Sequence, residues 1–125
     1  MPTNLLLSPL PHTWIFDVDG TLVKHNGYKI DGYDTLLDGV KELFAAIPSD
    51  DMIILLTSRK SEERENLEKF MNKHQLRYNH IIFDAPMGER LLVNDNKPSG
   101  LVCAYAVNKT RDDRLNISFE ISEDL

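Results

Sequence analysis

Apolar residues along the chain fall into short blocks separated by polar, turn-rich stretches. The first block, TWIFDV at 13–18, is β-rich and predicts a buried strand. Leu36, Val40, Leu43, Phe44 and Ile47 then recur at helical spacing. They predict an amphipathic helix that stops before Pro48, because the residue ahead of a proline disfavours the helical conformation. MIILL at 52–56 is a continuous apolar run, the pattern of a central parallel strand covered on both faces. Ser61 is placed to cap a second helix with Glu62 and Glu63 in its first turn and Leu67, Phe70 and Met71 as its buried stripe. Two more short apolar runs follow, at 81–83 and 91–93.

The flanks read differently. Residues 1–12 carry prolines at positions 2, 9 and 11 and predict an irregular arm. The polar stretch 23–33, with Gly27 and Gly32, predicts a loop or flap. Residues 101–107 are strand-like, and Ile117, Phe119 and Ile121 alternate with polar neighbours. Together they predict an antiparallel hairpin at a sheet edge. The order strand, helix, strand, helix, strand, strand predicts an α/β fold: an open, Rossmann-like, mostly parallel sheet with flanking helices and a C-terminal edge hairpin. The expected organisation is a single domain over 1–125, with an arm (1–12), a core (13–100) and the hairpin (101–125).

Composition narrows the function. The chain has 125 residues, 42% of them hydrophobic and 27% charged, with a formal net charge of −6. A long polyanion is repelled on average, so nucleic acid is not an expected partner. A small anion can still bind, since local dipoles outweigh net charge at short range. Cys103 is the one cysteine, so no disulfide framework forms. No apolar run approaches the ~20 residues that span a membrane, and the N-terminal stretch lacks the features of a signal peptide. A cytoplasmic location and no membrane partner are expected.

The polar residues that follow the apolar runs carry the candidate chemistry. Open α/β sheets bind ligands outside the carboxyl ends of their strands. Asp17 and Asp19, Thr57 and Ser58, and Asp95 each follow an apolar run in this way. Of two carboxylates one residue apart, one can attack while the other gives and takes a proton. Asp95 could share Mg²⁺ with Asp17, since Mg²⁺ prefers oxygen ligands. The hydroxyls and backbone N–H groups of Thr57 and Ser58, near a helix start, suit a phosphate.

WIFDVDGTL at 14–22 resembles motif I of the haloacid dehalogenase-like superfamily, an apolar strand followed by DxDGT. ILLTSR at 54–59 is similar to motif II, and LLVNDNKP at 91–98 is similar to motif IV. The resemblance covers roughly residues 13–100. It is to the small capless phosphatases, among them short capsule-biosynthesis-type enzymes, since neither 23–53 nor 60–90 has room for a substantial cap domain. It implies Asp17 as the nucleophile that forms an aspartyl-phosphate and Asp19 as general acid and base. It implies Thr57 as the phosphate-binding hydroxyl, with Ser58 and Arg59 beside it. It implies Mg²⁺ held by Asp17, the backbone carbonyl of Asp19, and Asp95.

Two departures from the family pattern stand out. Motif IV has a single acid, Asp95 between Asn94 and Asn96. The motif III lysine is missing: Ala85 of FDAP occupies its place, and Arg90 is the nearest cation able to replace it, with Arg59 and Lys97 as the other candidates. The expected function is Mg²⁺-dependent hydrolysis of a small phosphorylated metabolite, with a sugar phosphate as the default substrate. The alternatives are a non-catalytic phosphate- or Mg²⁺-binding module with a decayed motif III, and a phosphotransferase that uses the same intermediate. Pairing of the edge hairpin between subunits would give a homo-oligomer.

Overall fold

A computed structural model describes residues 2–125. The chain is α/β, with two small parallel sheets and a few helices. Strands β2 (Thr13–Asp17), β3 (Met52–Leu56) and β4 (His80–Ile82) form one sheet in the order β2-β3-β4. Strands β1 (Thr3–Leu7) and β5 (Ile117–Ile121) form the other. Helix α1 (Gly27–Ile30) lies in the flap after β2, α2 (Val40–Ala46) links β2 to β3, and α3 (Arg64–Lys73) links β3 to β4.

Alternation along the strands decides what is buried. In the parallel register Trp14 pairs with Ile53 and Phe16 with Leu55, so these four project to one face of the sheet. Phe16, Ile53, Leu55 and Ile81 join one buried cluster with Val40, Leu43 and Phe44 of α2 and Leu67 and Met71 of α3. The rings of Phe16 and Phe44 meet at 4.9 Å between centroids. The opposite face of the same sheet stays open: Ile15, Met52 and Ile82 are exposed and Ile54 and Leu56 half-buried. A parallel sheet ordinarily has both faces covered.

Below the strands, Asp51 is buried and ties the start of β2 to the start of β3. Its carboxylate accepts from the His12 backbone N–H at 3.0 Å, the His12 ring Nδ1 at 2.9 Å and the Trp14 indole at 2.9 Å. Burial pushes its carboxyl upward, and these donors outweigh that and hold it below its ordinary value. Trp14 also packs against Phe119, 5.4 Å between ring centroids, which joins β5 to the core.

Several expectations are corrected. Residues 3–7, expected within an irregular arm, form β1. The C-terminal strand is not half of an antiparallel hairpin: β5 pairs parallel with β1, Thr3 opposite Ile117 through Leu7 opposite Ile121. Residues 101–107 form no strand, and neither do 91–93. A strand needs a partner edge to take up its backbone hydrogen bonds; β5 has β1, and 91–93 and 101–107 pair with no strand. Helix α2 starts only at Val40 because Gly39 has φ +88°, which leaves Leu36 in the preceding loop. Ser61 makes no side-chain cap; it opens a 3₁₀ turn, Ser61–Glu63, that leads into α3. Among the described residues, no helix is long and apolar enough to cross a membrane.

Candidate functional site

The parallel sheet brings the carboxyl ends of β2, β3 and β4 to one side. Asp17 ends β2, Thr57, Ser58 and Arg59 follow β3, and Phe83 and Asp84 follow β4. The turns are knit together by backbone bonds: Thr57 N–H to Ile82 C=O at 2.9 Å, Ala85 N–H to Thr57 C=O at 3.1 Å and Asp84 N–H to Arg59 C=O at 2.8 Å.

The loop after β2 folds back on Val18, whose carbonyl accepts from the N–H groups of Thr21, Leu22 and Val23. Gly20 makes this turn possible with φ +84°, a conformation that costs other residues a steric clash. The turn aims the Thr21 hydroxyl at Asp17, where it donates to Oδ2 at 3.0 Å. Arg90 donates from Nη1 to the other oxygen, Oδ1, at 3.2 Å. Both partners of this ion pair are open to solvent, with side-chain exposures of 39% and 38%. Of the three cations considered as replacements for the motif III lysine, Arg90 is the one paired with Asp17.

Arg59 has a different place from the one its sequence position suggests. It does not pair with Glu62 or Glu63 and does not face solvent; its side chain is 1% exposed. Its Nε and Nη2 donate to the two oxygens of Asp19 at 3.0 and 2.8 Å. Its Nη1 and Nη2 donate to Asp34 at 3.0 and 2.6 Å. Tyr28 of α1 stacks on the guanidinium 3.9 Å away. Burial works against the charge, and the hydrogen bonds that Arg59 donates to Asp19 and Asp34 outweigh it, so the pKa of Arg59 lies above its ordinary value. The flap is thereby fixed over the end of β3.

Thr57 is buried and accepts from the Arg59 N–H at 3.1 Å, while Ser58 donates to the Pro86 carbonyl at 3.5 Å. Lys109 returns to the same region and donates to the carbonyls of Gly20 and Thr110, each at 2.9 Å. Burial holds its ammonium below the ordinary range, against the opposing pull of Asp113, Asp112 and Asp17. Asp34 and Lys109 had no signal in the sequence that tied them to motif I, because they lie in polar stretches without periodicity.

Asp95, expected to complete a metal site with Asp17 and Asp19, sits in the exposed stretch 86–100. Among the described residues no group of three or more His, Cys, Asp or Glu side chains is placed to hold a metal ion. The carboxylate oxygens of Asp17 and Asp19 are already engaged, by Thr21 and Arg90 and by Arg59.

No family model matches the chain, and no curated protein matches it. Among solved structures, a chain of the Pnkp1/Rnl/Hen1 complex is similar, with 29% identity and a TM-score of 0.51 over 66% of this chain. The matched region spans 31% of that chain's length.

Proposed function

We propose that the chain is a phosphomonoesterase of the haloacid dehalogenase-like type, acting on a small phosphorylated metabolite from the cytoplasm. The observation that carries this reading is Asp17, a part-exposed carboxylate at the carboxyl end of a parallel strand with a guanidinium on one oxygen and a hydroxyl on the other. An open Rossmann-like sheet, with β2-β3-β4 as its centre, belongs to the same reading.

In this reading an oxygen of Asp17 attacks phosphorus, and the bond from phosphorus to the substrate alcohol breaks. Asp19 gives its proton to the departing oxygen. Water then loses a proton to Asp19 and attacks the aspartyl-phosphate, releasing inorganic phosphate and the Asp17 carboxylate. Both Asp19 oxygens are engaged by Arg59, so proton transfer requires one of them to be released. Arg90 offsets charge that builds on the transferring group. Mg²⁺, when bound, would offset the repulsion between a carboxylate and a phosphate dianion.

The test is a panel of phosphorylated metabolites, sugar phosphates included, with and without Mg²⁺, run beside Asp17→Asn. Phosphate release that depends on Mg²⁺ and disappears in Asp17→Asn is the expected result. Turnover retained by that variant, or absent from the wild-type protein across the panel, rejects the reading.

A further inference from the structure

Strand β5 has a neighbouring strand on one side alone. Its parallel pair with β1 is bounded by Thr3 N–H to Asn116 C=O at 2.9 Å and Ser122 N–H to Leu7 C=O at 2.8 Å. The backbone groups of a strand point alternately to its two sides, so Asn116, Ser118, Glu120 and Ser122 face β1. The N–H and C=O groups of Ile117, Phe119 and Ile121 point the other way, and among the described residues no strand lies there. A row of unpaired backbone groups is a template for another strand.

That edge borders a groove of about 420 Å³. Ile117 and Phe119 line it together with Ser118, whose side chain points to the opposite face of the strand, and no residue of β1 does. The groove therefore runs along the edge away from β1. Helix α2 forms its other wall through Glu42, Leu43 and Ala46. The Leu115 N–H bond to Asp38 C=O at 2.8 Å joins the start of β5 to the start of α2, and the groove opens beyond that point. Further along the strand a second hollow, of about 230 Å³, takes in Ile121 and Glu123 with Pro48 and Asp50.

The walls set what can enter. Leu43, Ala46, Ile117 and Phe119 offer an apolar floor, which suits every second side chain of an extended segment. Around that floor stand three exposed acids, Glu42, Asp50 and Glu123, against one cation, Arg114. The complementary segment is therefore basic, and the net charge of −6 on the whole chain draws the same kind of partner. A second copy of the chain is a poor occupant: it would bring its own α2 beside its own β5, and two helices would stand between the two edges.

We infer that the groove between β5 and α2 binds an extended, basic segment of a partner protein, added as a strand along Ile117–Ile121. Backbone bonds to Ile117, Phe119 and Ile121 supply affinity that is indifferent to sequence. Alternate apolar side chains on the floor, and lysine or arginine beside Glu42, Asp50 and Glu123, supply the choice of partner. No residue that lines the groove belongs to the site around Asp17, so the inference does not rest on the phosphatase reading.

Selection of a random seven-residue peptide library, displayed on phage, against the full chain tests it. The selected peptides are then made with a fluorescent label and titrated by anisotropy. They should carry lysine or arginine with alternate apolar residues, and they should slow amide hydrogen exchange at Ile117, Phe119 and Ile121. Ile121→Pro removes an edge N–H that β1 does not use, a place where a strand tolerates proline, and should weaken binding about tenfold. Asp50→Lys with Glu123→Lys, both exposed, should weaken it by a similar factor and keeps the test decisive if the proline disturbs the strand. Four results overturn the inference: no peptide enriched over an unrelated control protein; enriched peptides that are acidic or uncharged; protection that falls on other amides; binding that the charge-reversed variant does not weaken. A dimer in light scattering whose edge amides are protected without peptide also overturns it, by showing that a second copy fills the groove.

Discussion

The guanidinium of Arg59 holds both oxygens of Asp19, at 3.0 and 2.8 Å, and the same side chain holds Asp34 at 2.6 Å. One buried cation thus joins the loop after β2, the flap and the turn after β3. Arg59, two residues after Thr57 in sequence, is therefore enclosed by Asp19, Asp34 and Tyr28 and does not face solvent.

Arg59→Ala should lower stability by roughly 3–5 kcal/mol, the range for breaking a buried ion pair by removing one partner. Urea unfolding followed by circular dichroism measures it. Arg59→Lys should recover only part of the loss, because an ammonium cannot span two carboxylates with a planar fork. Full recovery by lysine would mean that charge alone, and not geometry, fixes the flap.

Asp51 predicts an acid limit. A carboxyl held below its unfolded-state value contributes stability above that value, about pH 4, and the contribution is lost as pH falls through the folded value. Stability of the wild-type protein should therefore fall on acidification below about pH 4. Asp51→Ala should cost on the order of 3 kcal/mol at neutral pH, since the donors of His12 and Trp14 lose their acceptor. It should also flatten the acid slope. Unfolding midpoints measured from pH 3 to pH 7 for both proteins would show whether the two effects occur together.

Arg90→Ala separates chemistry from folding. The pair with Asp17 is exposed, so its removal should change stability by less than ~1 kcal/mol. On the best substrate of the panel, kcat should fall ~100-fold, by analogy with removing one charge-stabilising donor. A near-normal rate would show that the missing motif III cation is not replaced by Arg90.

Gly39→Ala should destabilise by at least ~1 kcal/mol through its φ of +88° alone. The loss should exceed that figure, because an added Cβ collides with the backbone carbonyl of Leu115. That contact holds the chain segment that enters β5, where Leu115 N–H also meets the Asp38 carbonyl at 2.8 Å. Thermal unfolding measures the change, and an unaltered midpoint would show that this segment shifts freely.

The sequence by itself determined the elements whose signal is local. TWIFD and MIILL are strands because five consecutive side chains of this kind suit a pleated, buried surface. The stripe of Val40, Leu43 and Phe44 and that of Leu67 and Met71 are helical because their spacing puts them on one face. Asp17 at the end of β2 follows from the strand's own boundary. Only the tertiary structure decided the partners. Backbone donors and acceptors are chemically the same in every strand, so nothing in 3–7 or 117–121 announces that the two ends of the chain lie side by side in parallel. For the same reason the apolar runs at 91–93 and 101–107 read as strands although neither pairs with another strand. The partners of Arg59 lie 40 and 25 positions away, and a single charged residue carries no periodicity that could point to them. Packing brought Asp19, Asp34 and Tyr28 around it, and burial then made those contacts obligatory, since a charge withdrawn from water must be paired.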